Sequence, residues 1–159
     1  TAVLPESLAD MGASAVDGDW RRRLLLSLGS ALSTTGGVLA HSEATLGTPA
    51  EKARLSRETG AVAVDQESLP VARMARQAGI PFLAVRAILD PAETSLPGRL
   101  VAEAQANDRM GIGRTLGLLL RHPGEMLPLI RLLPPFWRAR RTLVGIARIA
   151  GPDFRVQSG

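Results

Sequence analysis

Two apolar segments on either side of a helical segment constrain this chain more than any other feature of its sequence. Residues 60–64 and residues 81–88 each read as a buried strand. Between them, residues 67–78 have apolar side chains at helical spacing, with Pro70 in the first turn and Gly79 as the stop signal. A strand, a helix and a strand within about 30 residues predict a βαβ unit with two parallel strands and a right-handed crossover.

Shorter elements are predicted before this unit. A helix is expected over residues 20–32, capped by Asp17 or Asp19, and a short strand is expected over residues 37–40. Residues 48–51, Thr-Pro-Ala-Glu, have the pattern of a capping box with proline at the first helical position. Together with a core that must be aliphatic, because aromatic residues make up only 3% of the chain, these elements favour the α/β class.

The second part of the chain differs from the first in composition. We expect residues 1–110 to form the α/β domain and residues 111–159 to form a basic helical tail packed on it. The predicted helices of the tail are separated by His-Pro and Pro-Pro breaks and cover residues 111–121, 124–133 and 136–150.

Charge is distributed unevenly along the chain. The formal net charge is +4, and residues 114–159 alone carry eight basic and two acidic side chains. No aromatic residues are expected to interleave with these arginines as a base-stacking platform, so nucleic acid is not expected as a partner. The tail helices are interpreted either as a solvated face of the domain or as a basic amphipathic surface for an anionic membrane.

Several classes of chemistry are excluded by composition. The chain has no Cys, which removes disulfides, thiolate nucleophiles and Cys-based zinc sites, and its two His lack metal-ligand spacing. No Gly-x-Ser-x-Gly elbow of a serine hydrolase occurs. We therefore expect no metal and no organic cofactor. The absence of Cys also fits a cytoplasmic protein, and peripheral contact with the membrane stays open.

Acidic residues follow both strands of the predicted βαβ unit. Asp65 and Glu67 come after the first strand, and Asp90 comes after the second. If the strands are parallel neighbours, these carboxylates meet at the sheet edge where open α/β sheets bind ligands. Two carboxylates can divide the work of breaking a glycosidic bond, one holding sugar hydroxyls and the other protonating the leaving group. The alternative is that they are helix caps or solvated loop residues.

Residues 60–93, GAVAVDQESLPVARMARQAGIPFLAVRAILDPAE, resemble the signature of the purine nucleoside phosphorylase and methylthioadenosine/S-adenosylhomocysteine nucleosidase superfamily. That pattern is a strand ending in Val-Asp/Glu-Met-Glu, a helix, and a strand ending in Arg-x-Ile-Ser-Asp. Residues 64–67 here are Val-Asp-Gln-Glu, and residues 86–90 are Arg-Ala-Ile-Leu-Asp. The resemblance implies a three-layer α/β fold with a mixed central sheet and a homo-oligomeric enzyme.

The resemblance also implies a role for individual residues. Asp90 would be the catalytic acid that hydrogen-bonds the purine and helps to protonate N7, and Glu67 would bind the ribose hydroxyls. Gln66 stands where the family usually has Met under the ribose. Thr45, in the loop HSEATL of residues 41–46, replaces an aromatic residue that usually stacks on the base.

The tail pattern is similar to that of hopanoid-associated phosphorylases. This narrower resemblance implies adenine release from the lipid intermediate adenosylhopane, with phosphate as a potential co-substrate. Methylthioadenosine/S-adenosylhomocysteine-type nucleosidase activity stays open as an alternative.

The family's glycine-rich phosphate loop has no counterpart in residues 1–159, and the chain starts at Thr1 within an apparent strand end, so we expect a truncated chain. A third reading is therefore a catalytically incomplete fragment acting as a membrane-surface or interaction module.

Overall fold

The computed structural model describes residues 1–12, 15–98, 101–102, 124, 130–131, 133–152 and 154. The elements bounded within these residues are, in order, β1 (Ala2–Val3), β2 (Ser7–Leu8), α1 (Gly18–Leu28), β3 (Thr34–Thr35), β4 (Val38–His41), α2 (Pro49–Thr59), β5 (Ala61–Asp65), α3 (Ser68–Gln77), β6 (Arg86–Ala87) and α4 (Leu133–Ala150).

The strands form two small sheets. In one, β1 lies in the centre, parallel to β3 and antiparallel to β6. In the other, β4 lies in the centre and is parallel to both β2 and β5. The predicted α/β class with mixed strand directions is confirmed, as is the short strand predicted near residues 37–40, which is β4.

The predicted βαβ unit is wrong. Of residues 81–88, only Arg86 and Ala87 form a strand, and this strand pairs antiparallel with β1 instead of parallel with β5. The parallel crossover in this part of the chain instead leads from β4 through α2 to β5.

The physical reason for this difference is visible in residues 82–85. Phe82 and Ala84 pack into one hydrophobic cluster, whereas Leu83 and Val85 pack into the other. The segment is therefore apolar on both sides because it passes between two clusters. An apolar run indicates burial, but it does not select the strand with which it pairs.

Each cluster joins different elements. The first lies between α1, α4 and the β1 sheet, and its buried members are Ala2, Leu4, Leu24, Leu28, Ile146 and Ala150. The second lies between the β4 sheet and α3, and its buried members are Leu8, Ala15, Leu39, Leu69, Ala72 and Ala84. Neither cluster includes a residue of α2. This helix has no buried residue and lies at the surface beside β4 and β5.

The helix termini follow the local sequence signals. The Asp17 carboxylate accepts a hydrogen bond from the backbone N–H of Trp20 at 2.7 Å, so Asp17 is the cap of α1. The helix ends at Leu28, earlier than the predicted residue 32, because Gly29 adopts a φ of 50°. That left-handed region is accessible to glycine at little cost.

The capping box of α2 is confirmed. The Thr48 hydroxyl accepts a hydrogen bond from the Glu51 backbone N–H at 3.3 Å, and the Glu51 carboxylate accepts one from the Thr48 N–H at 2.9 Å. The stop signal at Gly79 is also confirmed, with a φ of 66° just after α3.

Strand β5 is less buried than its apolar sequence predicts. Ala61 is buried, but the Val62 side chain is 53% exposed, and Val64 is also exposed. Gly37 lies against this strand, and a Cβ on Gly37 would be 2.9 Å from a methyl carbon of Val62. Gly37 also has a φ of 108°, a backbone conformation that favours glycine at this position just before β4.

The predicted break between two helices at Pro134 and Pro135 is wrong. Both prolines lie within helix α4 (Leu133–Ala150), and Ile130 and Arg131 before it are also helical. The predicted helix over residues 111–121 lies outside the described residues, as does most of the one over residues 124–133. Within the described parts of the chain, no helix is both long enough and apolar enough to cross a membrane.

Candidate functional site

A cleft lies between β5 and the segment that follows β6. Its cavity volume is about 310 Å³, at the lower end of the range of small-molecule sites, roughly 300–1,000 Å³. Apolar walls come from exposed side chains of β5 and of the segment after β6: Val62, Val64, Ile88 and Leu89. The polar lining residues are Lys52, Ser56, Asp65, Arg86 and Asp90. A mainly apolar wall with a few charged groups is typical of a ligand site.

Asp90 is held in this cleft by Lys52. The Lys52 ammonium lies 2.7 Å from Oδ2 of Asp90 and also donates to the backbone carbonyl oxygens of Pro91, at 3.1 Å, and Thr94, at 2.9 Å. All three donors of the ammonium are thus used, and the Lys52 side chain is only 10% exposed. This arrangement fixes both the Asp90 carboxylate and the backbone of the loop that carries it.

Sequence reasoning missed Lys52, although a signal was present. It is the only lysine among 19 basic residues, and it lies in the first turn of α2. Its compact ammonium with three donors suits the convergence of one carboxylate and two carbonyl groups, a geometry that the planar guanidinium of arginine does not match as well. The capping box orients the turn from which Lys52 reaches the cleft.

Arg86 organises the second charged group of the cleft. Its guanidinium forms an ion pair with Asp65, lies 3.6 Å from Oε2 of Glu67, and donates to the Ser68 hydroxyl at 2.8 Å. The Ser68 hydroxyl in turn donates to Asp65 at 2.5 Å, and the Ser68 backbone N–H donates to the same carboxylate at 3.0 Å. Asp65 is only 11% exposed, so this network satisfies a nearly buried carboxylate.

The remaining predicted site residues lie beyond the carboxyl end of β5. Glu67 precedes α3, makes no capping hydrogen bond, and has a side chain that is 70% exposed. The Gln66 side-chain amide donates to the Thr45 hydroxyl at 3.3 Å, which brings together the loops after β4 and β5. Glu67, Gln66 and Thr45 do not line the cleft itself. They form an adjacent surface that is linked to it through the contact of Arg86 with Glu67.

The structure thus groups the predicted carboxylates in part. Asp65 and Asp90 line one cleft, and Glu67 and Asp65 share Arg86. The geometric reason given by the sequence, two neighbouring parallel strands, does not hold, because β5 and β6 belong to different sheets. The cleft instead lies between the β5 strand of one sheet and the chain that leaves the other.

His41, at the end of β4, has a ring nitrogen whose hydrogen bonding is not satisfied by the described residues. Its Nδ1 atom is buried and has no hydrogen-bond partner among the described residues. Asp10 and Asp65 lie near it around a narrow crevice with no room for a water molecule. In the part of the chain that the structure describes, no group of His, Asp and Glu side chains could hold a metal ion.

Comparison with known proteins relates this geometry to a family. The sequence profile described as the Phosphorylase superfamily matches residues 4–121. A solved 5'-methylthioadenosine/S-adenosylhomocysteine nucleosidase from S. pneumoniae, bound to the transition-state inhibitor MT-ImmA, has a similar fold with a TM-score of 0.55 at 14% identity. The match covers 94% of this chain and 62% of the nucleosidase, so the chain spans less than two thirds of that protein. No curated protein matches the sequence significantly.

Proposed function

Because the chain belongs to the phosphorylase superfamily, we propose that it contributes the nucleoside-binding side of an enzyme that cleaves the N-glycosidic bond of a purine nucleoside. The observation that carries this proposal is Asp90, anchored by Lys52 in a cleft with apolar walls. A purine is a flat, largely apolar group with polar edges, and this combination of an apolar wall and one oriented carboxylate suits it.

In the proposed reaction, Asp90 acts on the leaving base. Lys52 contacts Oδ2 of Asp90, and no described residue donates to Oδ1, so Oδ1 is free to face a ligand. To act as an acid, Asp90 takes up a proton from solvent on Oδ1 and passes it to N7 of the purine, which neutralises the negative charge that builds up on the base as the glycosidic bond breaks. Lys52 acts as a positioning residue that keeps Asp90 aligned for this contact.

Glu67 acts on the sugar in the same proposal. Its exposed carboxylate can accept hydrogen bonds from ribose hydroxyls, and its negative charge favours the oxocarbenium-like sugar of the transition state. Arg86, at 3.6 Å, limits the positions of the Glu67 side chain. Gln66 and Thr45, already joined by a hydrogen bond, would lie next to the ribose and the base.

The finer proposal concerns the substrate. We propose an adenosyl compound, with adenosylhopane as the first choice because of the tail pattern of residues 111–152, and with a methylthioadenosine-type nucleoside as the alternative. Phosphate as co-substrate would make the reaction a phosphorolysis, and water would make it a hydrolysis. Thr45 in place of a stacking aromatic residue leaves more room beside the base, which fits an altered or larger substrate.

The experiment that tests the function is release of free base by the full-length protein. Adenosine, 5'-methylthioadenosine and adenosylhopane are each incubated with and without phosphate, and adenine is quantified by chromatography. The proposal expects adenine from at least one of them, with ribosyl phosphate as the second product if phosphate is required. Absence of adenine release from all three substrates would contradict the proposal and leave a catalytically inert binding module.

A further inference from the structure

Helix α4 has one face fixed against the protein. Ile146 and Ala150 are buried in the cluster that also contains Leu24 and Leu28 of α1. Just after the helix, the backbone carbonyl oxygen of Phe154 accepts a hydrogen bond of 2.5 Å from the Trp20 indole N–H at the start of α1. The opposite face of α4 is therefore presented at the surface in a defined orientation.

The outward face begins with large apolar side chains. Leu133, Phe136 and Trp137 are each about half exposed, and the Phe136 and Trp137 rings contact each other edge to face with centroids 5.8 Å apart. These three neighbouring side chains form an exposed apolar patch, and patches of this kind often mark interaction sites. They also show that the expected absence of aromatic residues beside the tail arginines is wrong for α4.

The same face continues with arginines. Leu133, Trp137, Arg141 and Arg148 recur at a helical spacing that places them on one side, opposite the buried Ile146. Arg140 lies beside them, with its guanidinium 5.8 Å from the centre of the Trp137 ring. Among the described residues, none of these arginines forms an ion pair with an acidic side chain, and the sequence from 126 to 152 contains neither Asp nor Glu.

We propose that this face of α4 binds an anionic membrane surface. Tryptophan, phenylalanine and leucine insert at the boundary between lipid headgroups and acyl chains, while arginines beside them contact the anionic headgroups through their long side chains. A second copy of this chain is a poor partner, because a symmetric contact through this face would bring arginines against arginines. The proposal does not depend on the reaction proposed above.

The test is flotation of the full-length protein with two kinds of vesicle, one of phosphatidylcholine alone and one of phosphatidylcholine mixed equally with phosphatidylglycerol. Binding is expected to the anionic vesicles and to weaken as salt is raised. The double variant Arg141→Gln, Arg148→Gln should bind about 30-fold more weakly, from about 1 kcal/mol per arginine near the surface. Trp137→Ser should weaken binding at constant charge.

A matched control is available on α2. Arg54→Gln with Arg57→Gln also removes two exposed helix arginines, one of them in the last turn like Arg148, and should leave vesicle binding unchanged. Melting temperatures of all variants identify any that fail to fold. The proposal is overturned if anionic vesicles are not bound, if both double variants weaken binding equally, or if Trp137→Ser binds as well as the wild type. Preferential binding of an RNA or DNA oligonucleotide that displaces the vesicles would also overturn it.

Discussion

The cleft beside β5 and the outward face of α4 both carry positive charge, but they differ in how that charge is compensated. In the cleft, Lys52 is paired with Asp90 and Arg86 is paired with Asp65. Ser68 also donates to Asp65, and Lys52 also donates to carbonyl oxygens of the loop that carries Asp90. On α4, the arginines have no acidic partner among the described residues. The two regions therefore use cations for different purposes.

This difference has a physical consequence. A paired and nearly buried charge has lost its water and is fixed in direction, so it can hold a neighbouring group in a productive position. An exposed and unpaired arginine keeps its hydration and its freedom, and its main electrostatic effect is on something outside the protein. The cleft has the properties of a site for a small molecule, whereas the α4 face has those of a contact surface.

The largest expected effect is on catalysis at Asp90. Replacing Asp90 with Asn keeps the size of the side chain but removes the acid, so turnover for base release should fall by about 10²- to 10⁴-fold. Glu58→Gln is the matched control, because Glu58 is an exposed carboxylate at 3.7 Å from Arg54 on the same helix as Lys52. Turnover and melting temperature are measured for both variants. An Asp90→Asn protein with wild-type turnover would remove Asp90 from the mechanism.

The next expected effect is on the free energy of unfolding, which should fall more when a paired arginine is replaced than when an unpaired one is. Arg86→Met leaves Asp65, which is 11% exposed, without its ion pair. Breaking a fully buried pair costs roughly 3–5 kcal/mol, and because Arg86 itself is 35% exposed we expect about 2 kcal/mol. Arg141→Met on α4 should change the free energy of unfolding by less than about 0.5 kcal/mol. Urea denaturation measures both, and equal losses would contradict the comparison.

A smaller effect is expected at the cap of α2. Thr48→Ala removes the hydroxyl that accepts the Glu51 N–H and should cost about 1 kcal/mol of unfolding free energy. Since α2 carries Lys52, the loss should also reduce the turnover of base release, whereas vesicle binding through α4 should be unaffected. Denaturation, turnover and flotation of this variant together test whether the two regions behave independently. Weaker vesicle binding by Thr48→Ala would show that they do not.

The smallest effect is a pH dependence at the same cap. The hydrogen bond from the Thr48 side chain, followed by that from its backbone N–H, lowers the pKa of Glu51 below its ordinary value of 4.5. A lowered pKa in the folded state means that the stabilisation is present above pH 4.5 and is lost as pH falls through the lowered value. The stability difference between the wild type and Glu51→Gln should therefore shrink on acidification. A difference that grows in acid would contradict this assignment.

The sequence predicted most accurately the features that short segments determine by themselves. The caps at Asp17 and Thr48 and the stop at Gly79 depend on side chains or backbone freedom within one helical turn, so neighbouring residues suffice to identify them. The strands β4 and β5 were also predicted, because each is a short apolar run between turn signals.

The sequence could not predict what depends on distant partners. The pairing of β6 with β1 joins residues 86–87 to residues 2–3, and nothing in either segment specifies the other. Lys52 was missed because its contacts with Asp90 and the loop after it form only in the folded chain. The roles of Glu67, Gln66, Thr45 and Asp90 remain predictions from family resemblance.

The most direct test of the central claim is a crystal structure of the Asp90→Asn protein with a bound adenosyl nucleoside. The account predicts the base in the cleft beside β5, with the residue 90 amide within hydrogen-bond distance of the base edge and the ribose hydroxyls next to Glu67. A nucleoside that binds elsewhere on the protein, or one that lies in the cleft with its sugar at residue 90 and its base at Glu67, would contradict it.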